Sequence, residues 1–420
     1  MKRQIFILIV IFVLVGMMKI IVGCGRVVEE DRSQPTVISV TPTDGASGIS
    51  TAIQIKAIFS KNMKASTLNT NTFNLSGSEV SGEVSYDAAS RTATFTPSAN
   101  LSFEVTYTAT ISGSVEDLFG KALITPETWS FTTKQPWILQ DSGTSQHFAD
   151  VHFVDENNGW VVGAFGPILH TSNGGESWDF QDIGTSEVLY AVQFADLING
   201  WAAGINGAIL HTGNGGANWS SQTSGTSEFL SGLHFIDLNN GWVVGTNGTI
   251  LHTSNGGTNW SPQTIGSNFL VDVYFVDAQN GWIVGDNGTI LHTGNGGTNW
   301  SPQTSGLTDM IYGVYFVDSN YGWAVADKMT ILHTSDGGTN WSVQSTDPLT
   351  TNALLGVYFV DLYNGWVVGD GGAIGYTIDG GTNWVPQASG TSQALLNVQF
   401  VDLNDGWAVG ANGTILKYEP

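Results

Sequence analysis

From residue 135 onward, short apolar runs and polar turns alternate in a fixed order. One unit shows the pattern: Ser231-Gly-Leu-His-Phe-Ile236, Gly241-Trp-Val-Val-Gly245, Thr249-Ile-Leu-His-Thr253 and Asn259-Trp-Ser-Pro-Gln263. Each run has strand length and β-forming residues. Asp237-Leu-Asn-Asn-Gly241 suits an Asx-type turn, and Asn247-Gly248 suits a type I′ hairpin. The Gly-Trp pair recurs at Trp160, Trp201, Trp242, Trp282, Trp323, Trp366 and Trp407, at intervals of 41, 41, 40, 41, 43 and 41 residues. Four antiparallel strands at this period predict the blades of a β-propeller, seven in number.

The two ends of the repeat region complete each other. The last repeat stops after Thr414-Ile-Leu-Lys-Tyr418, without its outer Trp strand. At the front, Trp137-Ile-Leu-Gln-Asp-Ser-Gly-Thr-Ser145 matches Trp219-Ser-Ser-Gln-Thr-Ser-Gly-Thr-Ser227 in spacing. Trp137 is therefore expected to supply the outer strand of the C-terminal blade and remove an open sheet edge. Fourteen of the 15 Trp residues occupy two repeat positions, one after the Gly and one starting the outer strand. Repetition in every blade assigns them to packing between sheets rather than to sugar stacking.

Residues 35–133 alternate differently. Val37–Val40, Ile53–Phe59, Thr92–Thr96, Phe103–Ile111 and Thr128–Thr132 follow period two, separated by Gly, Ser, Asn and Asp clusters. Such spacing predicts an Ig-like sandwich. Pro42-Thr-Asp-Gly-Ala46, Phe59-Ser-Lys-Asn-Met63 and Trp129-Ser-Phe-Thr-Thr133 resemble the bacterial Ig-like domain of S-layer and other surface proteins, which implies a spacer. The fold class expected is thus all-β, with an Ig-like β-sandwich followed by a seven-bladed β-propeller closed by an N-terminal outer strand. The domains expected are 35–133 and 135–420.

Ahead of both lies an apolar run, Ile5 to Val22, behind Lys2 and Arg3, the layout of a secretory signal. It ends Ile21-Val22-Gly23-Cys24, which resembles a bacterial lipobox, and Cys24 is the chain's single cysteine. The resemblance implies a lipoprotein signal peptide over 1–24, lipidation of Cys24, a tether over 25–34, and a protein lipid-anchored to the bacterial cell envelope, at the outer membrane or cell surface.

Ser335-Asp-Gly-Gly-Thr-Asn-Trp341 is close to the Asp-box, or BNR, motif of sialidase-type propellers. The wider pattern Gly-Trp-Val-Val-Gly…Ile-Leu-His-Thr-Ser-x-Gly-Gly-x-x-Trp resembles the photosystem II assembly/stability factor family of seven-bladed propellers. In photosynthetic cells such proteins engage their partner through an Arg-rich patch. In Asp-box proteins the motif is peripheral, so here it is expected to serve folding.

Charge narrows the functional classes. From Gln135 to Pro420 there are 25 acidic residues against Lys328 and Lys417, with no Arg, for a net charge of −23. That surface repels nucleic acid and anionic lipid. Sialidase chemistry loses the arginine triad that grips a carboxylate. Glycoside hydrolases of the xyloglucan-cleaving sort also use Asp-box propellers, usually two around a cleft, with two carboxylates flanking the bond. Seven Asp residues (155, 196, 237, 277, 318, 361 and 402) are repeat turn residues. The acids that break the pattern are more informative. Asp150 and Asp272 occupy a slot before the innermost strand that holds Ala191, Gly232, Gly313, Gly356 and Asn397 elsewhere. Asp286, Asp327 and Asp370 vary in the loop before the third strand. Asp150, Asp272, Asp286, Asp327, Asp370 and Asn397 are therefore the candidate ligand-binding residues, expected near one mouth of the channel. His170, His211, His252, His292 and His333 share a third-strand position on separate blades, so no metal site is expected. No cofactor is expected either. The function expected is a non-catalytic, envelope-anchored binding or assembly scaffold, monomeric, whose propeller takes protein or glycan. The alternative is a glycan-active hydrolase using channel-mouth carboxylates.

Overall fold

A computed structural model describes residues 33–420 except 78–79, 165–167, 182, 184–186, 264, 347–348 and 350–352. Cys24, with the signal and most of the tether, lies outside the described residues. The described chain is all-β, in nine four-stranded sheets, and divides into two compact units.

The N-terminal sheets form a sandwich. One orders Val37–Thr41, Ile55–Phe59, Thr92–Pro97 and Gly82–Asp87; the other orders Ala46–Ile49, Glu127–Thr133, Thr106–Ile111 and Phe73–Ser76. Alternation drives the burial: Ile55, Ala57 and Phe59 are fully buried, with Lys56 and Ile58 between them only partly so. Phe73 lies 6.0 Å from Phe95 and 5.9 Å from Trp129, ring centre to ring centre. Three strands escape the period-two reading: Ala46–Ile49, Phe73–Ser76 and Gly82–Asp87. All three lie at sheet edges, and two of them have only four residues. The strand expected from Phe103 begins instead at Thr106, because Glu104 takes a left-handed φ of 54°.

The other seven sheets are the blades of the propeller. Each inner strand leads to a hairpin, a second and third strand, and a short outer strand, as in Leu230–Phe235, Asn240–Gly245, Ile250–Ser254 and Ser261–Pro262. The hairpin before the third strand has Asn247 at φ 54° and Gly248 at φ 65°, the two positive values a type I′ turn requires. The Asp turns form as their chemistry dictates: the Asp237 carboxylate accepts from the Asn239 and Asn240 amides at 2.7 and 2.8 Å.

Packing between blades explains the Gly-Trp pair. Trp160 stacks on Phe194 of the next blade at 3.5 Å and 11°, and Trp219 meets the same Phe edge-on at 5.7 Å. The pattern recurs around the ring, for instance with Trp323, Phe359 and Trp384. Each Phe also lies flat on the Gly of its own blade. A Cβ on Gly241 would sit 2.5 Å from the Phe235 ring. The His residues of the third strands lie over the Trp rings, His170 at 4.7 Å from Trp160 and His252 at 4.8 Å from Trp242.

The ring closes with the strand ahead of the first blade. Trp137–Gln140 pairs antiparallel with Ile415–Tyr418, Trp137 opposite Tyr418 and Gln140 opposite Ile415. The Trp137 indole donates to Gln387 Oε1 at 2.9 Å, and Ser142 Oγ donates to the Gly413 carbonyl at 2.8 Å.

Candidate functional site

The inner strands line the channel, and their first turns define its mouth. All seven carry an irregular register between the first residue and the third, as at Phe148/Asp150 and Leu270/Asp272. The third residues are Asp150, Ala191, Gly232, Asp272, Gly313, Gly356 and Asn397, and all seven line one cavity of about 360 Å³. Four of the seven are Gly or Ala, which leaves room between the larger three. Above them stands an apolar rim that the sequence reading did not single out: Tyr190, Phe229, Phe269, Met310, Tyr312 and Leu355. Its signal was available as bulky apolar residues that vary between blades while the rest of the repeat does not.

The acids are fastened to the seams between blades. Asp150 accepts from its neighbour Val151 N at 2.8 Å and from Val192 N of the next blade at 2.7 Å. It also accepts from the Asn397 side-chain amide. Asp272 accepts from Val273 N at 2.8 Å and from Val314 N of the next blade at 3.0 Å. Burial raises both carboxyls, Asp150 to about 7 and Asp272 to about 6, against the pull of those amides. The nearby Asp272 charge also raises Asp150.

Below the acids, the next inward-facing residues are His152, Gln193, His234, Tyr274, Tyr315, Tyr358 and Gln399. Gln193 clasps the next blade through the Phe235 amide and carbonyl at 2.6 and 3.0 Å. Gln399 does the same to Phe153. Tyr274, Tyr315 and Tyr358 follow at 4.7 and 4.6 Å with their hydroxyls hydrogen-bonded in a row. Burial lowers His152 to about 4 and His234 to about 3, and pushes Tyr274 up to about 12. The channel wall is therefore neutral at physiological pH.

The candidates from the sequence divide. Asp150, Asp272 and Asn397 meet in the cavity; Asp286, Asp327 and Asp370 do not line it. Asp327 accepts from the Tyr312 hydroxyl at 3.1 Å, so it holds a rim residue. Burial, then Asp327 and last the Asp370 charge push the Tyr312 phenol up to about 12. Asp286 starts the hairpin turn Asp286–Gly288, with Oδ1 buried and without a hydrogen-bond donor. Among the described residues no three His, Cys, Asp or Glu side chains gather as metal ligands. The Asp-box is occupied by its own turn: Thr334 Oγ1 donates to Asp336 Oδ1 at 2.9 Å, which accepts from Asn340 N at 2.9 Å.

Comparison with known proteins agrees with this architecture. Residues 31–133 match the bacterial Ig-like domain. No curated protein matches the chain. Among solved structures, YCF48 from Cyanidioschyzon merolae is similar at 22% identity and a TM-score of 0.58, over 68% of this chain and 99% of that one. YCF48 bound to D1 peptide is similar at 20% identity and a TM-score of 0.60, over 68% and 97%. The GH74 xyloglucanase from Xanthomonas campestris is similar at 11% identity and a TM-score of 0.54, over 67% of this chain and 53% of the enzyme. At these identities the likenesses show the fold. The profile of the photosynthesis system II assembly factor YCF48 matches overlapping stretches, 130–228, 217–304, 265–348, 303–384 and 348–419. These span more than half of the chain, and the chain belongs to that family.

Proposed function

We propose that this chain is a non-catalytic binding protein that takes a segment of a protein partner at the channel mouth. On this reading it is held at the cell envelope by Cys24, with the Ig-like domain as spacer. The observation that carries the reading is the mouth itself, a cavity of about 360 Å³ with an apolar rim. Its lining differs from blade to blade while the Gly-Trp core of the repeat does not. A family relative bound to a peptide supports a protein ligand.

The hydrolase reading draws on the GH74 likeness and on the two acids. A glycosidase needs a carboxylic acid and a carboxylate free to meet the scissile bond. Here each acid holds an amide of the next blade, and Asp150 accepts from three donors. Their arrangement suits holding the ring more than attacking a sugar. Two measurements separate the readings. The full chain is expected to retain a protein from envelope extract and lose it in the Phe229→Ser/Phe269→Ser variant, with no sugar released from a glycan panel. Sugar release abolished by Asp150→Asn would overturn the binding reading.

A further inference from the structure

The chemistry of the mouth identifies what it would hold, given that the mouth is the binding site. Asp150 and Asp272 stand on blades 1 and 4, within electrostatic reach of each other. The lysines of the propeller are engaged elsewhere: Lys328 with Asp309 at 2.8 Å, and Lys417 over the Trp407 ring at 5.7 Å. Asp272 has two amide donors, and a carboxylate offers about four lone-pair directions, so it retains acceptor capacity toward the cavity.

Above the acids the rim is aromatic along one arc. Tyr190 and Phe229 lie 4.6 Å apart, and Phe229 and Phe269 lie 5.6 Å apart. Tyr312 continues the arc. Aromatic faces attract organic cations, and an apolar rim accepts the methylene stem of one. A bare divalent metal is a poor fit, because calcium takes six or more oxygen ligands and two carboxylates do not supply them. A guanidinium is also disfavoured. Its planar fork wants both oxygens of one carboxylate, and here both are tied to backbone amides of different blades. A compact ammonium needs only one open lone pair.

We propose that the mouth binds the ammonium end of a lysine side chain, from a protein segment whose residues beside that lysine are apolar and rest on the aromatic arc. The test is titration calorimetry on the full chain with three blocked apolar peptides, identical except for a central lysine, norleucine or glutamate, and with n-butylammonium alone. The lysine peptide is expected to bind at least about tenfold more tightly than the norleucine peptide, and the glutamate peptide more weakly than either. Asp272→Asn is expected to abolish the lysine preference. Should that variant fold poorly, the lysine-to-norleucine ratio on the parent chain decides alone. Equal binding of lysine and norleucine peptides, both weakened by Phe229→Ser, would overturn the lysine inference and leave the mouth as the site. Binding of n-butylammonium as tight as that of the lysine peptide would overturn the protein segment as its source. Binding of the lysine peptide unaffected by Phe229→Ser or Asp272→Asn would remove the mouth itself.

Discussion

Two kinds of residue shape the propeller, those that recur in every blade and those that differ, and they answer to different constraints. The Gly before each Trp persists because a Phe ring lies on its Cα, not because of its backbone angles. Gly241→Ala would force a methyl group to within 2.5 Å of Phe235. Overpacking of this sort costs about 1–3 kcal/mol, which denaturant unfolding would register as a lower midpoint. The residues of the channel answer to burial and charge. Asp150 and Asp272, ordinarily near 3.8, are raised to about 7 and 6. The folded state then binds protons that the unfolded chain releases, so these two favour the fold at low pH and lose that contribution as pH rises through 4 to 7. His152 and His234 run the other way. Their folded values, about 4 and 3, lie below the ordinary 6.5, so their contribution is present above pH 6.5 and lost as pH falls. The half-buried third-strand histidines, also lowered by burial, act with them. The Asp and His effects oppose each other between about pH 4 and 6.5. Replacing both acids, Asp150→Asn/Asp272→Asn, leaves the histidines unopposed. That variant should lose more thermal stability than its parent between pH 8 and pH 5; an equal or smaller loss would contradict the account.

Elements were legible where the period was strong. The blades and their Asn-Gly hairpins follow from repeated residues whose turn chemistry is local, and the closing strand follows from a gap at one end matched by a surplus at the other. The sandwich was less legible. Gly82–Asp87 buries none of its residues fully and sits at a sheet edge, so its pattern has little contrast. Ala46–Ile49 has no large apolar residue but its last. The closing strand makes the sharpest prediction. Trp137 is buried between Phe400 at 5.7 Å and Tyr418 at 5.2 Å and donates to Gln387. Trp137→Ala should cost about 3–5 kcal/mol, and removal of residues 134–141 should lower the melting temperature of the whole ring by leaving Ile415–Tyr418 without its outer partner. An unchanged melting temperature in the shortened chain would contradict closure by this strand.

At the scale of the molecule, the repeat tells most about what is not the site. Once Trp, Phe, Gly and the turn Asp residues are assigned to the ring, the residues that differ between blades remain, and three of the six singled out from sequence meet in one cavity. The aromatic rim and the His/Tyr wall were not singled out because an apolar or neutral polar residue on a strand looks like packing until the strand is known to face a channel. Asp286, Asp327 and Asp370 precede the third strands and do not line the cavity; Asp327 supports the rim through Tyr312. Anchoring is tested apart from binding: Cys24→Ser is expected to abolish incorporation of labelled fatty acid, and undiminished labelling would exclude the lipid anchor.

The central claim is that the channel mouth, and not the opposite face, meets the partner. Tyr190 stands exposed on the rim, and Tyr363 stands exposed in a hairpin at the other end of the inner strands. A photoreactive residue placed at each position in turn, in the full chain within intact cells, compares the two faces directly. Cross-linking to a discrete protein from position 190 and not from 363 is the result predicted; cross-linking from 363 alone would contradict the account.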